Sequence, residues 1–172
     1  LTIKTFQAGR ALAALAVVAF HLSILMGLPR YGGQAVFSEY TQWGNRGVDF
    51  FFVLSGFIIL FAHAGDVGRP ARWGHYVQRR FVRLFPIYWL YTGMYVLALS
   101  FLGGTDASMP GTWADWLTSL SLLRFTDANP PLGVAWTLFH ELAFYAAFSV
   151  LIISRRAGAL AMGLFMGLAL VF

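Results

Sequence analysis

An all-α fold, a polytopic bundle of membrane-crossing helices, is what this sequence predicts, and three observations predict it. The 172 residues are 59% hydrophobic and 11% charged, with a mean hydropathy of +0.68, far too apolar for an ordinary soluble domain. The apolar residues gather into runs of about twenty, the length that crosses hydrocarbon. The 12 Lys and Arg fall mostly in short runs between those spans, so the net charge of +5 reads as topology rather than as a nucleic-acid surface. The absence of cysteine excludes disulfides, thiolate catalysis and cysteine metal sites. No metal site is read from the remaining residues.

The pattern predicts four full spans, the start of a fifth and one short interfacial helix. Span one covers Ala8 to Leu28, with Pro29 placed to end it. Lys4 and Arg10 resemble a signal-peptide start, but no small-x-small cleavage site follows cleanly and further long runs come later, so the span reads as retained. After a polar, glycine-containing loop, span two runs from Gly47 to Ala64 with Asp49 near one end. Gly65 to Leu84 holds the densest positive run, and span three, near Phe85 to Leu102, opens with Pro86 in its first turn, where a missing N–H does no harm. Within Gly103 to Leu132, Trp113, Trp116, Leu117, Leu120 and Leu123 keep helical spacing around Asp115, Thr118 and Ser119, the pattern of a helix lying at an interface. Span four runs from Val134 to Ile153, Arg155 and Arg156 stop it, and Ala157 to Phe172 begins a fifth. A first residue that is Leu rather than Met, and a last one inside an apolar run, read as a piece of a longer protein.

Orientation follows from the cations. With the N-terminus cytoplasmic, nine Lys or Arg lie inside (Lys4, Arg10, Arg69, Arg72, Arg79, Arg80, Arg83, Arg155, Arg156) against Arg30, Arg46 and Arg124 outside. Arg10 then sits at the cytoplasmic mouth and His21 lies past the bilayer middle.

Four features stand above the lipid-facing background: Arg10 with His21, Arg80 with Arg83, Glu141, and Asp49. On a helix, eleven steps place Arg10 and His21 on one face about 16 Å apart. Arg80 and Arg83, three residues apart, also share a face. Each feature has a plainer reading. Arg10 marks a helix end and His21 packs as a neutral ring; Arg80 and Arg83 enforce topology or hold anionic lipid; Glu141 is neutral or paired; Asp49 is solvated at the outer interface. His63 and His75, at a span end and in a basic loop, read as solvated, and His140 faces another side of its helix from Glu141. Taken together, the cations form a mouth suited to phosphate, because the Arg fork makes paired hydrogen bonds, with a base deeper on the same face. A coenzyme A thioester fits this layout, its phosphates on Arg10, Arg80 and Arg83 and its pantetheine arm reaching towards His21.

The motifs then become recognisable. RALAALAVVAFH (residues 10–21) resembles the Arg-x10-His motif in the first span of the acyltransferase-3 family of bacterial membrane O-acyltransferases. GVDFFFVLSGFII (47–59) resembles its second-span signature, RRFVRLFPIYW (79–89) its Arg-x-x-Arg segment, and WTLFHELAFY (136–145) its Trp-Ser-Leu-x-x-Glu-x-x-Phe-Tyr signature, with Thr137 in place of the usual Ser. The resemblance implies a bundle of about ten helices, of which residues 1–172 form the N-terminal part of one membrane-embedded domain in the bacterial inner membrane. It also implies transfer of an acyl group, most often acetyl from acetyl-CoA, to a hydroxyl of a cell-envelope or exported carbohydrate.

On that basis His21 is the expected general base and Glu141 its support, with Arg10, Arg80 and Arg83 on the coenzyme's phosphates. Asp49, Ser55, Trp136, Thr137 and Tyr145 are supporting positions, Ser55, Thr137 and backbone N–H groups being the candidate oxyanion donors. Burial is expected to keep the His21 imidazole neutral. An acyl-His intermediate is the mechanistic alternative. Two rivals belong to other classes: a proton-coupled transporter or flippase using His21, Glu141 and Asp49 as a relay, and a noncatalytic scaffold or sensor.

Overall fold

A chain this apolar has to satisfy its backbone internally, and helices do so segment by segment. A computed structural model describes residues 4–102 and 109–171 and divides the chain into two units, Leu1–Ala64 and Gly65–Phe172. All regular structure among the described residues is helical. Four helical segments there are long and apolar enough to cross a membrane: Phe6–Met26, Ser38–Asp66, Pro70–Phe101 and Gly133–Ile153.

In the first unit, α1 (Lys4–Met26) starts earlier than expected and stops two residues short of Leu28, where Gly27 closes the last turn onto Ser23 and Ile24. Pro29 opens a 3-10 turn, Pro29–Tyr31, instead of ending α1 directly. Gly32 and Gly33 follow with φ of 124° and 72°, positive values that glycine adopts at the least steric cost. The chain returns through α2 (Ser38–Thr41) and a 3-10 turn, Gln42–Arg46, into α3 (Gly47–His63). This return lies on α1 through small residues. A methyl group on Gly44 would run into the Ala16 carbonyl, and one on Gly47 would come within 2.7 Å of the Ala13 oxygen. Phe6 meets Phe57 edge-on at 5.4 Å, and the Ser23 hydroxyl donates to the Val36 carbonyl at 2.8 Å. His63, expected to be solvated, is instead buried, in the last turn of α3.

In the second unit the expected loop between spans two and three is largely helix. α4 runs unbroken from Trp73 to Leu102 and contains Pro86 in its interior, so Pro86 is not in a first turn and His75 is not in a loop. The arginine-rich stretch contains no breaker between Gly74 and Pro86, and it packs on α6 (Trp136–Ile153), which holds it in the same helix. The proline costs one backbone bond, a loss that membrane helices tolerate.

α5 (Trp113–Ser121) begins with a capping box: Thr112 and Asp115 exchange hydrogen bonds, the Thr112 N–H donating to the Asp115 carboxylate at 2.9 Å and the Asp115 N–H to the Thr112 hydroxyl at 3.2 Å. Its faces are the reverse of a water-facing helix. Thr118 and Ser119 are buried, while Trp113, Leu120 and Leu123 are exposed. The reason is hydrogen bonding: the Thr118 hydroxyl accepts from the N–H groups of Phe125 and Thr126, the Tyr88 hydroxyl donates to the Ser119 carbonyl at 2.6 Å, and the Trp89 indole N–H to that of Leu120 at 2.9 Å. Leu84, Phe85, Tyr88, Leu122 and Ala135 form the buried core beside it. Arg155 and Arg156 do not simply stop α6; they open α7 (Arg155–Val171) after a single extended residue, Ser154. The hairpin is tight because Gly158 lies directly on the Leu151 backbone, where any side chain would collide.

Candidate active site

Arg10 and His21 both lie on α1, which runs through them without a break. Arg10 is half-buried and His21 is exposed. His21 Nδ1 lies 2.8 Å from the Val17 carbonyl oxygen, one turn back. A carbonyl only accepts, so Nδ1 is the donor in this bond, and in the neutral ring the lone pair is then on Nε2. The Phe20 ring meets the imidazole edge-on at 5.4 Å. On α3, Asp49 is exposed in the first turn, where a helix N-terminus favours a carboxylate, and Ser55 is half-buried.

In the second unit, Arg80, Glu141 and Tyr145 come together where α4 packs on α6. The Tyr145 hydroxyl donates to Glu141 Oε1 one turn earlier on α6. The Arg80 guanidinium lies over two tyrosine rings, 5.6 Å from the centre of Tyr145 and 5.4 Å from that of Tyr76. Both rings are buried, and the Tyr76 hydroxyl donates to the Tyr145 carbonyl at 3.4 Å. Arg83, one turn on, is exposed.

Trp136 and Thr137 do not join this group. Trp136 is exposed, with His140 edge-on at 5.7 Å and His140 Nδ1 donating to the Trp136 carbonyl at 3.2 Å. The Thr137 hydroxyl donates to the Val134 carbonyl at 3.1 Å. Thr137 also borders an apolar pocket of about 460 Å³ between α4 and the start of α6, lined by Leu84, Ile87, Tyr88, Tyr91 and Leu138 among others. Tyr76 is the residue that sequence reasoning missed. The signal for it was the i, i+4 spacing to Arg80, visible only once the arginine-rich stretch is read as helix.

The sequence model of a family described as an acyltransferase domain matches residues 3–172. Among curated proteins, the chain is 33% identical over 111 residues to "Exopolysaccharide production protein ExoZ" of Rhizobium meliloti, covering 62% of this chain and 33% of that protein. It is 28% identical over 135 residues to "Nodulation protein 10" of Rhizobium leguminosarum bv. viciae, covering 66% of this chain and 36% of that protein. The matches thus span about a third of the length of these relatives. No solved structure matches.

Proposed function

The chain belongs to the acyltransferase-3 family, and from that premise we propose that it carries donor-binding and base functions of an integral-membrane O-acyltransferase. The donor is a cytoplasmic acyl-CoA, with acetyl as the acyl group, and the acceptor is a hydroxyl of an exported or cell-envelope carbohydrate. The name of the exopolysaccharide relative supports a carbohydrate acceptor. The protein sits in the bacterial inner membrane with its N-terminus inside, in keeping with the distribution of Lys and Arg.

The observation that carries this reading is the 2.8 Å contact of His21 Nδ1 with the Val17 carbonyl oxygen. With Nδ1–H bonded to Val17, Nε2 can take a proton without any rearrangement of the ring. In the reaction, Nε2 accepts the proton of the sugar hydroxyl as its oxygen attacks the thioester carbonyl. The carbon–sulfur bond then breaks, the ester forms, and the proton passes from His21 to the departing thiolate. Arg10, Arg80 and Arg83 hold the phosphates of the donor, and Glu141 supports the positive charge that develops during transfer. The Thr137 hydroxyl proton is already engaged with Val134, so Ser55 and backbone N–H groups are the better oxyanion donors.

The test uses the whole protein in bacterial membranes supplied with labelled acetyl-CoA. Label is expected in envelope carbohydrate with the wild type and not with His21→Ala. Equal labelling by the two defeats the base assignment, and no acyl-CoA-dependent labelling by the wild type defeats the donor assignment.

A further inference from the structure

We propose that Tyr76 is a positioning residue that, with Tyr145, clamps the Arg80 guanidinium for donor binding; the proposal rests on the reading that Arg80 binds the phosphates of the acyl-CoA. Among the described residues, Arg80 is the cation of the expected phosphate-binding set that lies within reach of two buried rings, and neither ring moves easily. Tyr76 is 1% exposed and Tyr145 is 4% exposed. Tyr76 is braced by Phe148, 5.4 Å between centroids, and by its hydroxyl on the Tyr145 carbonyl, while Tyr145 is braced by its own hydroxyl on Glu141. Both ring centres lie within the roughly 6 Å at which the quadrupole of an aromatic face attracts a cation.

Aromatic faces attract the guanidinium through their quadrupole and limit where it can go. Arginine is among the side chains with most rotamer freedom to lose on binding, and a clamped Arg80 has given up part of it before the donor arrives. Removing the clamp therefore weakens donor capture and leaves the chemical step alone. The effect appears in KM for acyl-CoA and not in kcat.

The experiment replaces Tyr76 in the whole protein, assayed in membranes at varied acetyl-CoA concentration, first with phenylalanine and then with phenylalanines bearing one and three ring fluorines. Fluorine drains the negative face of the ring while hardly changing its size, so a role confined to packing does not respond to the series. Tyr76→Phe is expected to keep KM within about twofold of wild type. KM is expected to climb stepwise to about 3- to 10-fold with fluorination at constant kcat. Tyr76→Leu should match or exceed the most fluorinated ring, and the fluorinated variants decide the matter if the leucine variant does not fold. A flat KM across the series, while Arg80→Gln still raises KM, overturns the clamp and leaves the donor-binding reading standing. If Arg80→Gln leaves KM unchanged, that reading fails and the clamp fails with it.

Discussion

His21 gives its Nδ1 proton to the carbonyl of Val17, 2.8 Å away and one helical turn back on α1. The acceptor is main chain, so the tautomer is a property of the helix and not of the Val17 side chain. His21→Ala in the whole protein is expected to lower kcat for acyl transfer by about 10²- to 10⁴-fold, the usual contribution of a positioned base. Val17→Ala, which keeps the carbonyl, should leave kcat within a few-fold. Steady-state assays of membranes matched for protein content check both, and a fully active His21→Ala variant rules out the base role.

The bond from Tyr145 to Glu141 ties together two positions of α6 that the sequence motif contains. Tyr145→Phe removes the donor from a half-buried carboxylate and is expected to destabilise the protein by about 1–3 kcal/mol. Glu141→Gln retains an acceptor oxygen and should cost less. Thermal unfolding in detergent measures both, and equal melting temperatures for wild type and Tyr145→Phe contradict the expectation.

Glycines on different surfaces should respond with opposite signs. Gly44 is pressed against the Ala16 carbonyl, so Gly44→Ala must push α1 away and is expected to cost about 1–3 kcal/mol. Gly93 lies in the middle of α4 with open space where its side chain would be. Gly93→Ala is therefore expected to stabilise the helix, by up to about 1 kcal/mol. The melting temperatures of the two variants should fall on either side of wild type.

Asp115 links α5 to pH. The Thr112 hydroxyl, and after it that of Thr126, hold the Asp115 carboxyl below its ordinary 3.8. A carboxyl depressed on folding contributes stability that is fully present above the unfolded value and lost as pH falls through the folded one. The melting-temperature gap between wild type and Asp115→Asn should thus be constant near neutrality and close as pH drops below about 4. A gap that widens on acidification would reverse the sign of this account.

The apolar runs announced themselves where their ends carry chemical punctuation. Gly47 opens α3 as expected, and α6 ends at Ile153, just before Arg155. α4 was misread because Pro86 and its arginines look like a boundary, whereas the helix continues through both, held by packing of Tyr76 on Phe148, a contact between residues 72 apart in sequence. No periodicity within one span can reveal such a pairing, and the Tyr76 clamp was hidden for the same reason. His63 and the buried hydroxyls of α5 were missed differently. Polarity alone points to water, whereas the Thr118 hydroxyl turns inward to the N–H groups of Phe125 and Thr126. The motif residues Arg80, Glu141 and Tyr145 were legible as types; that the ring of Tyr145 stands between a guanidinium and a carboxylate was not.

Pro86 gives α4 a mechanical character that its length conceals. Lacking an N–H, it leaves the Val82 carbonyl without its helical donor, one residue before Arg83. The missing bond falls where the arginine-bearing half of this thirty-residue helix passes into its apolar half, so the ladder is one rung weaker at that passage than anywhere else along its interior.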